Sequence, residues 1–230
     1  LGVWVRRTNY VDASPSEVAG GGLIYDANPN AGTVVLMGDS NRSMYGRMLK
    51  SVCSDSGRKL VVTSMAAGDA LPSVSGEDSP LWKNALAVVK HEKPVFLVLA
   101  CNWGSALHRS EKRLDRAIQL LRPHVKRIVI FNQPPTLPSN ATRSAMREGS
   151  RPPFYEDVDI RPLRLKANAY IQQFTTENVE VFDVASYFEN SKGKISFWDP
   201  QGRQNYQDSN HLSGYRAEMV RPKLVELFSK

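Results

Sequence analysis

Three residues of this chain, Ser40, Asp208 and His211, have types and spacing that could carry out nucleophilic chemistry together. Ser40 lies in Gly38-Asp39-Ser40-Asn41, where the apolar run Thr33 to Met37 gives way to a stretch of helical periodicity. A serine at such a junction can attack a carbonyl while its own backbone N–H, at a helix start, helps to hold the oxyanion that forms. The segment is not a G-x-S-x-G elbow, because Arg42 stands where the second glycine would be. It could instead be a helix start and nothing more, with Asp39, Ser40 or Asn41 as the N-cap. Asp208-Ser209-Asn210-His211 supplies what a lone serine lacks. A histidine can take the serine proton, and an acid three residues before it on a tight loop can reach back to orient the ring. His91, His108 and His124 sit in or beside helical stretches without such an arrangement and read as surface residues; none forms a metal-binding pair.

These residues need elements to bring them together. Thr33 to Met37 is rich in β-branched and aliphatic residues without alternation, the mark of a strand covered on both faces. Met44, Tyr45, Met48, Leu49 and Val52 then recur at helical spacing. The same alternation continues: strands at Lys59 to Thr63, Pro94 to Ala100, Arg127 to Phe131 and Glu180 to Val184, and helices at Leu81 to Lys90, Leu107 to Leu121, Arg161 to Phe174 and Ser213 to Phe228, the last with Pro222 as a local breaker. Asp199-Pro200-Gln201-Gly202 is a turn sequence joining Lys194 to Trp198 with Gln204 to Tyr206 in a small hairpin. Strands alternating with helices predict an α/β protein, a three-layer α/β/α sandwich around a central five-stranded parallel sheet of flavodoxin-like type. Ser40, Gly68 and Asn102 each follow the carboxyl end of a predicted strand, where such a sheet places its site.

Two segments stand apart. Residues 1–30 carry Ser14-Pro15, Gly20-Gly21-Gly22 and Asn28-Pro29-Asn30 and read as an extended lead-in with turns, ahead of one domain over residues 31–230. From Asn132 to Ile160 a proline-rich stretch exceeds an ordinary connection and reads as a lid or partner surface.

Composition narrows the class without choosing a partner. Lys and Arg number 30 against 23 Asp and Glu, a net charge of +7 in 230 residues, which suits an anionic glycan, membrane surface or nucleic acid. The basic residues are scattered, with no zinc-finger spacing or aromatic-basic pattern, so nucleic acid is not the expected partner. Cys53 and Cys101, the only cysteines, lie in or beside apolar elements and read as small core residues. No apolar run approaches the roughly 20 residues that span a bilayer. The first residue is Leu, and the chain reads as a piece of a longer protein.

Together, the Gly38-Asp39-Ser40 block, Gly68 after the second strand, Asn102 after the third and the Asp208 to His211 block resemble, in order and spacing, the SGNH/GDSL hydrolase superfamily. The resemblance covers roughly residues 33–228 and implies its fold. It also implies Ser40, Asp208 and His211 as the catalytic triad, with Ser40, Gly68 and Asn102 as the oxyanion hole. The ending Tyr206 to Tyr215, with Asp208-Ser209-Asn210-His211-Leu212-Ser213 at its centre and Trp103 in the third block, resembles more narrowly the SGNH domains fused behind the membrane-embedded acyltransferase-three domain of bacterial glycan O-acetyltransferases. Asn41 departs from the His or Leu common after the serine, and Asn102 is present where fused domains often lack it.

That resemblance implies a serine-dependent O-acetyltransferase domain acting on a bacterial surface polysaccharide such as lipopolysaccharide O-antigen. It would work at the periplasmic face of the inner membrane, with a surface glycan as acceptor and the acetyl donor supplied by a membrane acyltransferase domain of the same parent. Such a mechanism needs no metal or organic cofactor. Two other readings remain: an SGNH esterase or carbohydrate deacetylase, with water in place of the sugar, and a non-catalytic basic glycan-binding module on the same scaffold.

Overall fold

The computed structural model describes residues 10–26, 31–63, 68–138, 141, 154–189 and 193–229. In chain order the elements are α1 (Pro15–Ala19), β1 (Leu23–Tyr25), β2 (Thr33–Gly38), α2 (Ser40–Asp55), β3 (Lys59–Val62), α3 (Pro80–Glu92), β4 (Phe96–Ala100), α4 (Trp103–Leu107), α5 (Lys112–Leu121) and β5 (Arg127–Phe131). They continue with β6 (Phe154–Tyr155), α6 (Ile160–Gln172), β7 (Val179–Phe182), β8 (Lys194–Ile195), α7 (Gly214–Ala217) and α8 (Arg221–Phe228).

The central sheet has six strands in the order β1-β3-β2-β4-β5-β7. The five that sequence periodicity predicts pair in parallel, with Val35 opposite Val61 on one side and Leu97 on the other. Both faces of β2, β3, β4 and β5 are covered, which is why their sequences are apolar with little alternation, whereas β7 leaves Glu180 exposed. On β2, Val34 and Leu36 point into a core shared with α2 and α8, whereas Val35 and Met37 point into a second core built with α3, α5 and α6. Burying one such side chain stabilises the fold by about 1.5–3 kcal/mol.

The chain leaves β2 for β3 on one side and returns past β2 to β4 on the other. The carboxyl ends of β2 and β4 therefore diverge at the topological switch point, the crevice where open α/β sheets bind ligands.

The sixth strand corrects the five-stranded expectation. Leu23–Tyr25 pairs antiparallel with β3, Leu23 opposite Val62, and so closes one edge of the sheet. Three residues behind a run of glycines carry too little periodicity to announce a strand; the partner's exposed edge supplies the reason to form one. The segment 10–26 is thus not an extended lead-in. α1 has a capping box in which Ser14 accepts from the Glu17 N–H and Glu17 accepts from the Ser14 N–H. Residues 1–9 and 27–30 lie outside the described residues.

Other expectations are refined. The helix expected over Leu107 to Leu121 begins only at Lys112, as α5, and a short helix that the sequence did not announce, α4, precedes it over Trp103–Leu107. α4 packs Gly104 against the backbone of α6, where a Cβ would stand 3.2 Å from the Arg164 nitrogen, and α5 follows a separate path along the sheet. The last helix breaks into α7, a 3-10 turn and α8, with Pro222 in the first turn of α8. Trp198 and Gln204 bridge across the Asp199 to Gly202 turn, but Lys194–Ile195 pairs with Phe154–Tyr155 instead of closing that hairpin. Of the proline-rich stretch, residues 139, 140 and 142–153 lie outside the described residues. Its start, from Asn132 to Leu137, is buried and fixed: Leu137 donates its N–H to the Ser209 carbonyl at 2.7 Å, and the Tyr206 hydroxyl donates to the Pro135 carbonyl at 2.9 Å. This part supports the loop that carries Asp208 and His211 from beneath.

Candidate active site

Gly38 ends β2 with φ of +150°, and a Cβ built on it would stand 1.8 Å from the Ala100 carbonyl oxygen. Only glycine lets β2 and β4 lie this close while the chain turns sharply into α2. The turn is completed by Asp39, the N-cap, whose Oδ1 accepts from the Asn41 N–H at 2.8 Å. Ser40 is therefore the first residue of the helix and not its cap, so its hydroxyl is free of capping duty.

Ser40 Oγ lies 3.0 Å from His211 Nε2, although 171 positions separate the two residues. His211 Nδ1 lies 2.8 Å from Asp208 Oδ2 and 2.9 Å from Oδ1. The tautomer that satisfies both contacts carries its hydrogen on Nδ1 and leaves Nε2 to accept from the serine hydroxyl. Asp208 is held in turn, because its Oδ1 accepts the backbone N–H groups of Asn210 at 3.0 Å and of His211 at 2.9 Å. Partial burial would raise the Asp208 pKa, but the His211 ring and these two N–H groups outweigh it and keep the carboxyl below its ordinary value.

The oxyanion candidates come from neighbouring strand ends. Gly68 follows β3 and lines a cavity that also includes Asp39. Asn102 caps α4, its Oδ1 accepting from the Ser105 N–H at 3.3 Å, which leaves the side-chain NH₂ as the end available to an anion. Residues 64–67, ahead of Gly68, lie outside the described residues. Among the described residues no group of three His, Cys, Asp or Glu is placed to hold a metal, and Cys53 and Cys101 are both buried free thiols whose pKa burial raises.

Three supports of this site escape a sequence reading. Asp39 reaches beyond its own helix: Oδ2 accepts the Asn102 backbone N–H at 2.8 Å, so one carboxylate ties the Ser40 segment to that of Asn102. Burial raises the Asp39 pKa, and the N–H groups of Asn102 and Asn41 only partly offset this. Arg42 is wholly buried in α2, donates to the Val11 carbonyl and pairs with Asp12 at 3.1 Å. Burial brings its pKa down to about 10 despite Asp12. Tyr10 places its ring 5.7 Å from that of His211 and donates its hydroxyl to the Leu212 carbonyl at 3.1 Å. The one sequence signal for these contacts is an arginine on the apolar side of α2, since such a charge needs a partner when buried.

The sequence matches the family described as SGNH domain (fused to AT3 domains) over residues 12–226. No curated protein matches it. Among solved structures, Axe2, an acetylxylan esterase from Geobacillus stearothermophilus, superposes with a TM-score of 0.52 at 12% identity, covering 89% of this chain and 97% of that one. Est24, a carbohydrate acetylesterase from Sinorhizobium meliloti, has a TM-score of 0.48 at 13% identity, with 86% and 98% covered. Identities this low speak of the fold alone, and only the Axe2 superposition is close enough to do so. The family match is of another kind, because it runs through both the Gly38 to Asn41 segment and the Asp208 to His211 loop: the chain belongs to the family of SGNH domains found fused to AT3 domains.

Proposed function

We propose that this chain is a serine-dependent O-acyltransferase domain that moves an acetyl group onto a surface polysaccharide, with Ser40 as nucleophile. The observation that carries the reading is the continuous chain of contacts from Ser40 Oγ to His211 Nε2 at 3.0 Å and from His211 Nδ1 to Asp208 at 2.8 Å. Ser40 Oγ attacks the acyl carbonyl carbon as its proton passes to Nε2, and the carbonyl electron pair moves onto oxygen. The backbone N–H groups of Ser40 and Gly68 and the side-chain NH₂ of Asn102 receive that oxyanion. Collapse expels the donor's alkoxide, which takes the proton from Nε2 and leaves an acetyl ester on Ser40. In the second half His211 removes a proton from a sugar hydroxyl, which attacks the ester and regenerates the serine.

Family membership supports the rest of the proposal. SGNH domains of this family occur fused to AT3 domains, which suits a membrane partner as acetyl source and an extracytoplasmic site of action. No helix among the described residues is long and apolar enough to cross a membrane.

A second reading, hydrolysis to free acetate, needs only water in the second half and fits the acetylxylan esterase activity named for Axe2, which shares the fold. One experiment separates the two: label Ser40 with an isotopic acetyl group, add surface polysaccharides, and count the label in glycan and in acetate. Transfer predicts acetylated sugar in excess of acetate. Acetate as the sole product with every glycan tried would favour hydrolysis, and failure of a phosphonate probe to modify Ser40 in a folded protein would sink both.

A further inference from the structure

Beside Ser40, at the same edge of the sheet, lies a cavity of about 260 Å³ whose wall includes Asp39, Gly68, Asp69, Ser105, Arg109 and Arg113. Its two arginines are in opposite states. Arg113 is committed to structure: Nε donates to the Pro72 carbonyl at 3.0 Å, Nη1 to the Ala106 carbonyl at 3.3 Å and Nη2 to the Leu71 carbonyl at 2.9 Å, and the guanidinium also pairs with Asp69. These bonds brace the loop after β3 against α4 and α5 and neutralise the Asp69 carboxylate. The Asp39 carboxylate is likewise occupied by the N–H groups of Asn41 and Asn102.

Arg109, on the turn between α4 and α5, is exposed and makes no hydrogen bond, ion pair or ring contact with any described residue. An arginine on an open convex surface in that condition is simply solvated. This one lines a concave wall shared with Gly68, where the neighbouring arginine has already set the shape and paired with Asp69. The cavity therefore presents one unanswered positive charge, with the Ser105 hydroxyl close by on the same wall.

We propose that this cavity is the subsite for an anionic group on the sugar that receives the acyl group, with Arg109 as the residue that recognises it. A guanidinium offers two parallel N–H donors to a carboxylate or a phosphate, the geometry in which an ion pair is strongest and most selective. The cavity shares Gly68 and Asp39 with the nucleophile's surroundings, so an anionic group seated there puts the rest of its ring, or the next one, within reach of the acyl-enzyme. The inference rests on the reading that the site handles glycan esters, and it makes acidic polysaccharides the acceptor class.

Binding, not turnover, tests it. The whole chain carrying Ser40→Ala, checked for folding by thermal melting, is titrated with galacturonate oligosaccharides, with their methyl esters, and with a phosphate-bearing oligosaccharide against its dephosphorylated form. The expected result is a preference of about tenfold for the acid form of at least one pair at low salt, the size of a single charge-assisted pair. That preference should disappear when Arg109→Ala is added and return in part with Arg109→Lys. The two pairs tell a uronate from a sugar phosphate as the anion read. Equal affinity for charged and neutral forms in both pairs, or a preference that survives Arg109→Ala, overturns the proposal. Neither outcome depends on Ser40 reactivity, so a failure of the catalytic reading would be seen separately.

Discussion

Asp39 accepts the Asn102 backbone N–H at 2.8 Å while its other oxygen accepts the Asn41 N–H at the start of α2. Ser40 and Asn102, the latter a candidate oxyanion donor, are thus tied by one buried carboxylate across the β2 and β4 ends. Asp39→Asn keeps a capping oxygen but must turn an NH₂ toward one of the two N–H groups, so one of these bonds is lost. We expect a fall in kcat of about 10–100-fold, and of about 10²–10³-fold for Asn102→Ala, with KM little changed in either. Because Asp39 acts through Asn102, the double variant should cost clearly less than the product of the two, which a double-mutant cycle on kcat/KM measures. Full additivity would show that the two residues act independently.

His211 depends on a carboxyl whose pKa the fold lowers from its ordinary value of 3.8. A depressed acid stabilises the fold above its unfolded pKa, and that contribution is lost as pH falls through the lower folded value. Asp208→Asn should therefore melt below the wild type at neutral pH, with the gap closing as pH drops below about 4. Activity should fall by about 10⁴-fold at pH 7, because an amide no longer selects the Nδ1–H tautomer. Melting curves of both proteins from pH 3 to pH 8 check the first point; a gap that widens in acid would contradict it.

Tyr10 packs its ring 5.7 Å from that of His211 and ties its hydroxyl to the Leu212 carbonyl. We expect it to act as a positioning residue that holds the histidine. Removing the ring with Tyr10→Ala should lower kcat by about tenfold or more at nearly constant KM, whereas Tyr10→Phe, which keeps the ring, should lose only part of that. Equal kinetics for the two variants would assign the effect to the hydroxyl instead.

Gly38 has no room for a side chain. Its missing Cβ would stand 1.8 Å from the Ala100 carbonyl oxygen, and its φ of +150° is one that L-residues rarely adopt. Gly38→Ala must push β2 and β4 apart at the switch point. A loss of about 3 kcal/mol or more in urea unfolding, or failure to accumulate folded protein, is expected.

Much of this protein was legible from its residues alone. The strands β2, β3, β4 and β5 announce themselves because burial on both faces demands apolar runs, and α2 because Met44, Tyr45, Met48, Leu49 and Val52 share one side of a helix. Ser40, Asp208 and His211 were legible as a candidate triad, since only certain residue types can donate, relay and orient a proton, and Asp208 lies within local reach of His211. What local pattern cannot carry is distance across the chain. That Ser40 Oγ meets Nε2 at 3.0 Å follows from the order in which the strands assemble, and so do the edge pairing of Leu23–Tyr25 and the reach of Asp39 to Asn102. The roles of Tyr10 and Asp12, and the contrast between Arg113 and Arg109, were likewise decided by the tertiary fold, because the partner of a charge or a ring is chosen by what packing brings within a few ångströms of it.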